Sequence, residues 1–292
     1  MSRTRRSAHD DLTIADDGSL TVIADANDGI QSKDDLLIEG GSITVIAAND
    51  GLKGRNSITI READITIDAG GAGLQSNGTD DETQGIILIE NGTTAIEAGA
   101  DGIQAETALV INGGDIDLVT GGGSANSSTQ SGWGSWGPQS NSSTSGASTS
   151  AKGLKAGTSL TISGGTIEID SSDDAIHSND TLEINGGTLV ISSGDDGIHA
   201  DTSIEINAGA ITISKSYEGI ESVAISLNGG TVRVVADDDG INAAGGNAGS
   251  ALGGRPGQNM FSTSATCICP STADTSTSTR AETGSMRMAP SP

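Results

Sequence analysis

Apolar and polar residues alternate in short runs along this chain, and the runs recur at a fixed interval. In GIHADTSIEINAGAITIS, residues 197–214, alternation puts Ile198, Ala200, Ile204, Ile206, Ile211 and Ile213 on one side and His199, Glu205 and Thr212 on the other. That is three short strands, divided by turn residues of the kind seen at Asn185-Gly186-Gly187 and Asn228-Gly229-Gly230. A Gly-apolar step opens each unit: Gly29-Ile30, Gly51-Leu52, Gly73-Leu74, Gly102-Ile103, Gly153-Leu154, then Ala175-Ile176, Gly197-Ile198, Gly219-Ile220 and Gly240-Ile241. The spacings are 22, 22, 29, 51, 22, 22, 22 and 21 residues. The two long ones carry insertions near 76–85 and 121–150, where the sequence turns polar, and the register survives both. Three strands of this length bury no core alone, but units stacked ~4.8 Å apart bury a continuous one. The pattern predicts an all-β, right-handed parallel β-helix solenoid of about nine to ten 22-residue rungs over residues 11–247. Ala175, standing where the other units have Gly, indicates a close backbone approach at that step rather than a positive φ.

Composition supports a narrow stacked core. The aromatic residues are Trp133, Trp136, Tyr217 and Phe261, whereas Gly and small or branched aliphatic residues abound. The formal net charge of −25 argues against nucleic acid, whose phosphates need Lys and Arg, and makes cations the natural partners. No apolar run reaches a membrane-spanning length. Cys267 and Cys269 are too close for an ordinary bridge and lack companions for a metal site.

Rungs in register turn residues one period apart into neighbours. The position before the Gly reads Asp28, Asp50, Ala72, Asp101, Lys152, Asp174, Asp196, Glu218, Asp239; two after the Gly it reads Gln31, Lys53, Gln75, Gln104, Lys155, His177, His199, Glu221, Asn242. Acids stacked at ~4.8 Å repel unless a cation sits among them, and Ca²⁺ takes hard oxygen ligands. The metal ligands expected on this basis are Asp173, Asp174, Asp195, Asp196, Glu218, Asp237, Asp238 and Asp239; the bland alternative is a solvated row of turn acids. Lys155, His177, His199, Tyr217, Glu221 and Asn242 are the expected glycan-binding residues. A zinc reading of His177, His199 and Glu221 lacks a further ligand of the same kind. Lys155, Lys215 and Arg233 could serve as bases for a lyase, but no spacing fixes such a pair.

Residues 27–247, especially IQSKDDLLIEGG, KGLKAGTSLTISGGTIEIDSSDDAIHSND, GDDGIHAD, SKSYEGIES and DDDGINAAGG, resemble a secreted bacterial family of carbohydrate-binding-domain-containing proteins. The resemblance implies a pectate-lyase-like β-helix that contains calcium, binds cellulose or polygalacturonate and works outside the cell. The expected function is therefore calcium-dependent, non-catalytic polysaccharide binding at an extracellular surface. A calcium-dependent polysaccharide lyase and a structural or adhesion scaffold are the alternatives. The family's signal peptide and further N-terminal rungs are missing from this sequence, which makes residues 1–10 a non-native or truncated leader by expectation. Residues 248–292 lose the repeat. Read from the third base of the Ser271 codon, with free synonymous choice, the tail permits NGGYIYINAGGDGLDANGSIT, a rung of the same kind. The expectation is a frameshifted, disordered tail in which the two cysteines have no function.

Overall fold

The computed structural model describes residues 10–127, 150–243, 266–268 and 277–278. The chain coils into a parallel β-solenoid of about ten turns with rungs about 22 residues apart. A typical rung has a short strand (Ile176–Ser178), a middle strand (Thr181–Ile184) and a long strand (Thr188–Ser193). Short and middle strands belong to one parallel sheet of 17 strands, and long strands to another of 10. The offset of one period stacks like on like: Ile176 pairs with Ile198, Leu182 with Ile204 and Ile167 with Leu189. Each step therefore places a branched aliphatic side chain on another, and Ile176, Ile184, Leu189, Ile191 and Ile198 are fully buried. Such stacking is what lets a core with no aromatic side chain among the described residues exclude water.

The Gly-apolar step needs glycine for space. A Cβ on Gly51 would stand 2.7 Å from the Gly73 carbonyl oxygen and 2.5 Å from Ile67 Cγ2. The φ at this step is not left-handed, in agreement with Ala175, which is buried there. The 21-residue spacing also has a local origin. Between the strands Ile198–Ile206 and Ile220–Leu227 the register slips from Ala200↔Ser222 to Ser203↔Ala224, one residue fewer on the later rung.

Both insertions leave the coil between strands. The first, 77–85, is pinned by Arg55 to Asp80 at 2.7 Å. The second opens with Gly121, Gly122 and Gly123, all at positive φ, and a single turn at Ser124–Asn126. From there it runs along the axis. The Ser124 N–H donates to Asp170 Oδ1 (2.7 Å), Ser124 Oγ lies 2.8 Å from Ser192 Oγ, and Ser127 Oγ donates to the Gly194 carbonyl (2.7 Å). Trp133 and Trp136 lie outside the described residues, as does most of the tail. Two short tail strands are described: Thr266–Ile268 pairs in parallel with Ala224–Ser226, and Thr277–Ser278 with Arg233–Val234. The leader reading falls on residues 1–9, also outside the described residues, apart from Asp10. Among the described residues no helix is long and apolar enough to cross a membrane.

Candidate functional site

The acid column lies on the corner that leads into the short strand, and its side chains are tied to one another. Asp50 Oδ1 accepts the N–H of Ala72 on the next rung (3.0 Å), while Oδ2 accepts Lys53 Nζ (2.8 Å). Asp101 accepts the N–H of Lys152 (2.9 Å) and, from Lys155 of that rung, a second bond at 3.0 Å. Asp174 repeats the arrangement, accepting the Asp196 N–H (3.1 Å) and facing His177 Nδ1 (2.8 Å). One oxygen stitches rung to rung, and the other meets a cationic or imidazole group. All three acids are buried, as is Asp196.

Lys152 enters the acid row itself. Its Nζ lies 2.6 Å from Asp174 Oδ2 and 3.0 Å from Asp173 Oδ1. Burial works against this ammonium, but Asp174 and Asp173 outweigh it and hold the proton more tightly than usual. Burial likewise opposes the charge of Asp174, yet bonds from His177 and Lys152 hold its carboxyl well below the usual range.

His199 is 5 % exposed although it points away from the core. Its Nδ1 faces Asp196 Oδ2 (3.0 Å) and Glu221 Oε2 (3.4 Å), and its Nε2 faces Asp201 Oδ1 (3.2 Å). Desolvation favours the neutral ring, but the hydrogen bonds to Asp196 and Glu221 prevail and raise it to about 11. The ring therefore carries a charge in neutral solution. His177 and His199 stack with ring centroids 4.9 Å apart and planes 13° from parallel.

Among the described residues the Asp195 carboxylate has no such partner. Its carboxylate is pushed up to about 7, first by desolvation and then by the neighbouring charges of Asp174, Asp196 and Asp173. Glu218 is also raised to about 7, chiefly by desolvation, and receives a bond from Asn242 Nδ2 at 2.9 Å. Asp196 is raised too, with desolvation the leading cause.

Two groups of ligand-capable atoms lie within 4.8 Å among the described residues: Asp173, Asp174 and Asp195, and Asp196, His199 and Glu221. The first is all hard oxygen, as Ca²⁺ requires; the second mixes oxygen with a histidine nitrogen already held between carboxylates. Of the other expected ligands, Glu218 stands one rung beyond the first group, and Asp237, Asp238 and Asp239 lie exposed outside both groups. Of the expected glycan residues, Lys155 is bound to Asp101, His177 and His199 are held by Asp174 and Asp196, and Asn242 is held by Glu218. Tyr217 is 46 % exposed, and the Asp238 charge raises its phenol.

Reading the rows one at a time missed the cross-pairing. The signal was present as the acid followed three residues later by Lys or His: Asp50 and Lys53, Asp174 and His177, Asp196 and His199.

The sequence profile described as carbohydrate-binding domain-containing protein matches residues 7–197, about two thirds of the chain. The chain belongs to this carbohydrate-binding domain-containing family. Membership assigns carbohydrate binding in general terms. The matched span contains the Asp173, Asp174 and Asp195 group and stops before His199 and Glu221. Comparison with curated proteins and with solved structures finds no match.

Proposed function

We propose that the protein is a non-catalytic module that binds acidic, pectin-type polysaccharide outside the cell, with calcium held by Asp173, Asp174 and Asp195. The observation that carries this reading is the placement of Asp173, Asp174 and Asp195, whose carboxylate oxygens lie within 4.8 Å of one another, with burial and the neighbouring acids pushing Asp195 up to about 7. Lys152 is paired with Asp173 and Asp174, whereas the carboxylate of Asp195 has no ion pair among the described residues. A hard divalent ion suits an all-oxygen set of this kind. Bound there, calcium would supply the positive charge that joins protein carboxylates to glycan carboxylates, which a chain of net charge −25 otherwise repels.

The chain's own residues support binding over β-elimination. Lys152, held protonated between two acids, is a poor proton acceptor, and Lys155 is engaged by Asp101. Lys215 donates to the Ser124 carbonyl oxygen at 2.5 Å, which anchors the second insertion. A lyase needs a free base beside its substrate; these three amines are each committed elsewhere, and Arg233, the remaining candidate, is exposed on the long strand Thr231–Val234, away from the corner that carries the acids.

The test is retention of the full chain on immobilised polygalacturonate with calcium and with excess chelator, with the supernatant read for unsaturated sugars. Calcium-dependent retention without product is expected, and Asp195→Asn should abolish the calcium dependence. Unsaturated product would make the protein a lyase, and no retention in either condition would leave a scaffold.

A further inference from the structure

A shallow groove of about 620 Å³ lies on a different corner of the coil, where the middle strand turns into the long strand. It runs along the axis from Asp17 to Thr166 and touches six successive rungs, roughly 24 Å at ~4.8 Å per rung. Glycines form its floor. Gly92 sits at φ 104°, and a Cβ there would lie 2.4 Å from the Ala63 carbonyl oxygen, so the turn keeps no side chain to fill the trough.

The first residue of each long strand forms one wall. Register places Ser42, Asp64, Thr93, Asp115 and Thr166 side by side, so hydroxyls and carboxylates alternate rung by rung. Asp17, Glu62 and Asn91 add to the lining. Among the described residues the groove is lined by no Lys or Arg; Arg61, just outside it, is engaged by Glu39 and by Glu90. Among the described residues the carboxylates of Asp17, Glu62, Asp64 and Asp115 have no hydrogen bond or ion pair. They also stay outside the groups of acids close enough to share an ion, because Asp64 and Asp115 are two rungs apart. A chelated cation would need them closer, whereas an extended chain of donors would meet each in turn.

We propose that this groove is a second polysaccharide-binding surface, and that it takes an amine-bearing glycan, a polymer of glucosamine type, laid along the coil axis. The hydroxyl groups of any sugar can donate to the carboxylates and to Asn91, but only ammonium groups answer four unpaired acids with no cation among them. The repeat of one acid every second rung gives a polymer several weak, equivalent contacts, which add through effective concentration. The inference rests on the carbohydrate ligand of the family and not on calcium, so the two surfaces can fail separately.

The full chain is titrated, in chelator, with a glucosamine oligosaccharide, with the glucose oligosaccharide of the same linkage and length, and with spermine. Two double variants carry the same charge change: Asp64→Asn/Asp115→Asn in the groove, and Glu97→Gln/Glu168→Gln on the exposed face of the long strands. The glucosamine oligomer should bind tightest, weaken as salt rises, and lose about tenfold in affinity for each groove carboxylate removed. The Glu97/Glu168 variant should bind as the parent does. Equal losses in both double variants, or spermine binding as well as the oligomer, would reduce the effect to general charge attraction and overturn the proposal. Equal affinity for the glucose oligomer would overturn it as well. Failure here with calcium-dependent retention of polygalacturonate intact would leave the acid-column reading standing, and the reverse result would remove that reading alone.

Discussion

At the corner before the short strand, Asp50, Asp101 and Asp174 are buried, and each holds a backbone N–H of the next rung together with a Lys or His. At the glycine corner before the long strand, Asp64 and Asp115 are exposed, and their carboxylates hold no partner among the described residues. Both sets repeat with the coil and look alike as letters in the sequence. The difference is in where the remaining negative charge goes. A buried acid must be paired to be tolerated, so it becomes part of the framework, while an exposed acid stays solvated and can wait for a ligand.

Asp174→Ala gives the largest contrast between the corners. It strips the acid from Lys152 and His177 and the acceptor from the Asp196 N–H, and should cost about 3–5 kcal/mol, read as a lowered urea midpoint. Gly92→Ala comes next, because a left-handed φ and the nearby Ala63 carbonyl resist a Cβ; about 2 kcal/mol is expected in the same assay, at a groove whose acids are unchanged.

Asp195→Asn should stabilise the metal-free protein by about 1 kcal/mol at pH 8, a value discounted for partial solvent access. The sign follows from a folded-state carboxyl raised above its ordinary value. Its contribution is present below the unfolded value near 4 and is lost as pH rises through about 7. The benefit of the substitution should therefore vanish below pH 4, which thermal melts across pH in chelator would check. Adding calcium at pH 8 should raise the melting temperature of the parent and leave that of Asp195→Asn unchanged. Smallest of all, Asp64→Asn and Asp115→Asn should each alter stability by no more than about 0.5 kcal/mol, with the urea midpoint the control for their binding phenotype.

Much of the coil is legible from spacing, because period-2 alternation within a period of 22 leaves few other ways to bury Ile198, Ile204 and Ile211 together. The acid column is legible as a row. Its pairing is less so, since Lys155 answers Asp101 from the next rung, 54 positions away across the second insertion. The groove left only a faint trace in the chain. Its acids alternate with Ser and Thr, so they form no charge run, and its depth comes from glycines whose φ depends on the turn.

Rung length, the inward rows, the places where loops leave the coil and the acidity of the surface all follow from local alternation and composition. Tertiary structure alone decided which acids are neutralised and which remain free. That depends on how far each corner is shielded from water and on which side chains of neighbouring rungs reach across it, and neither is a property of any single stretch of chain.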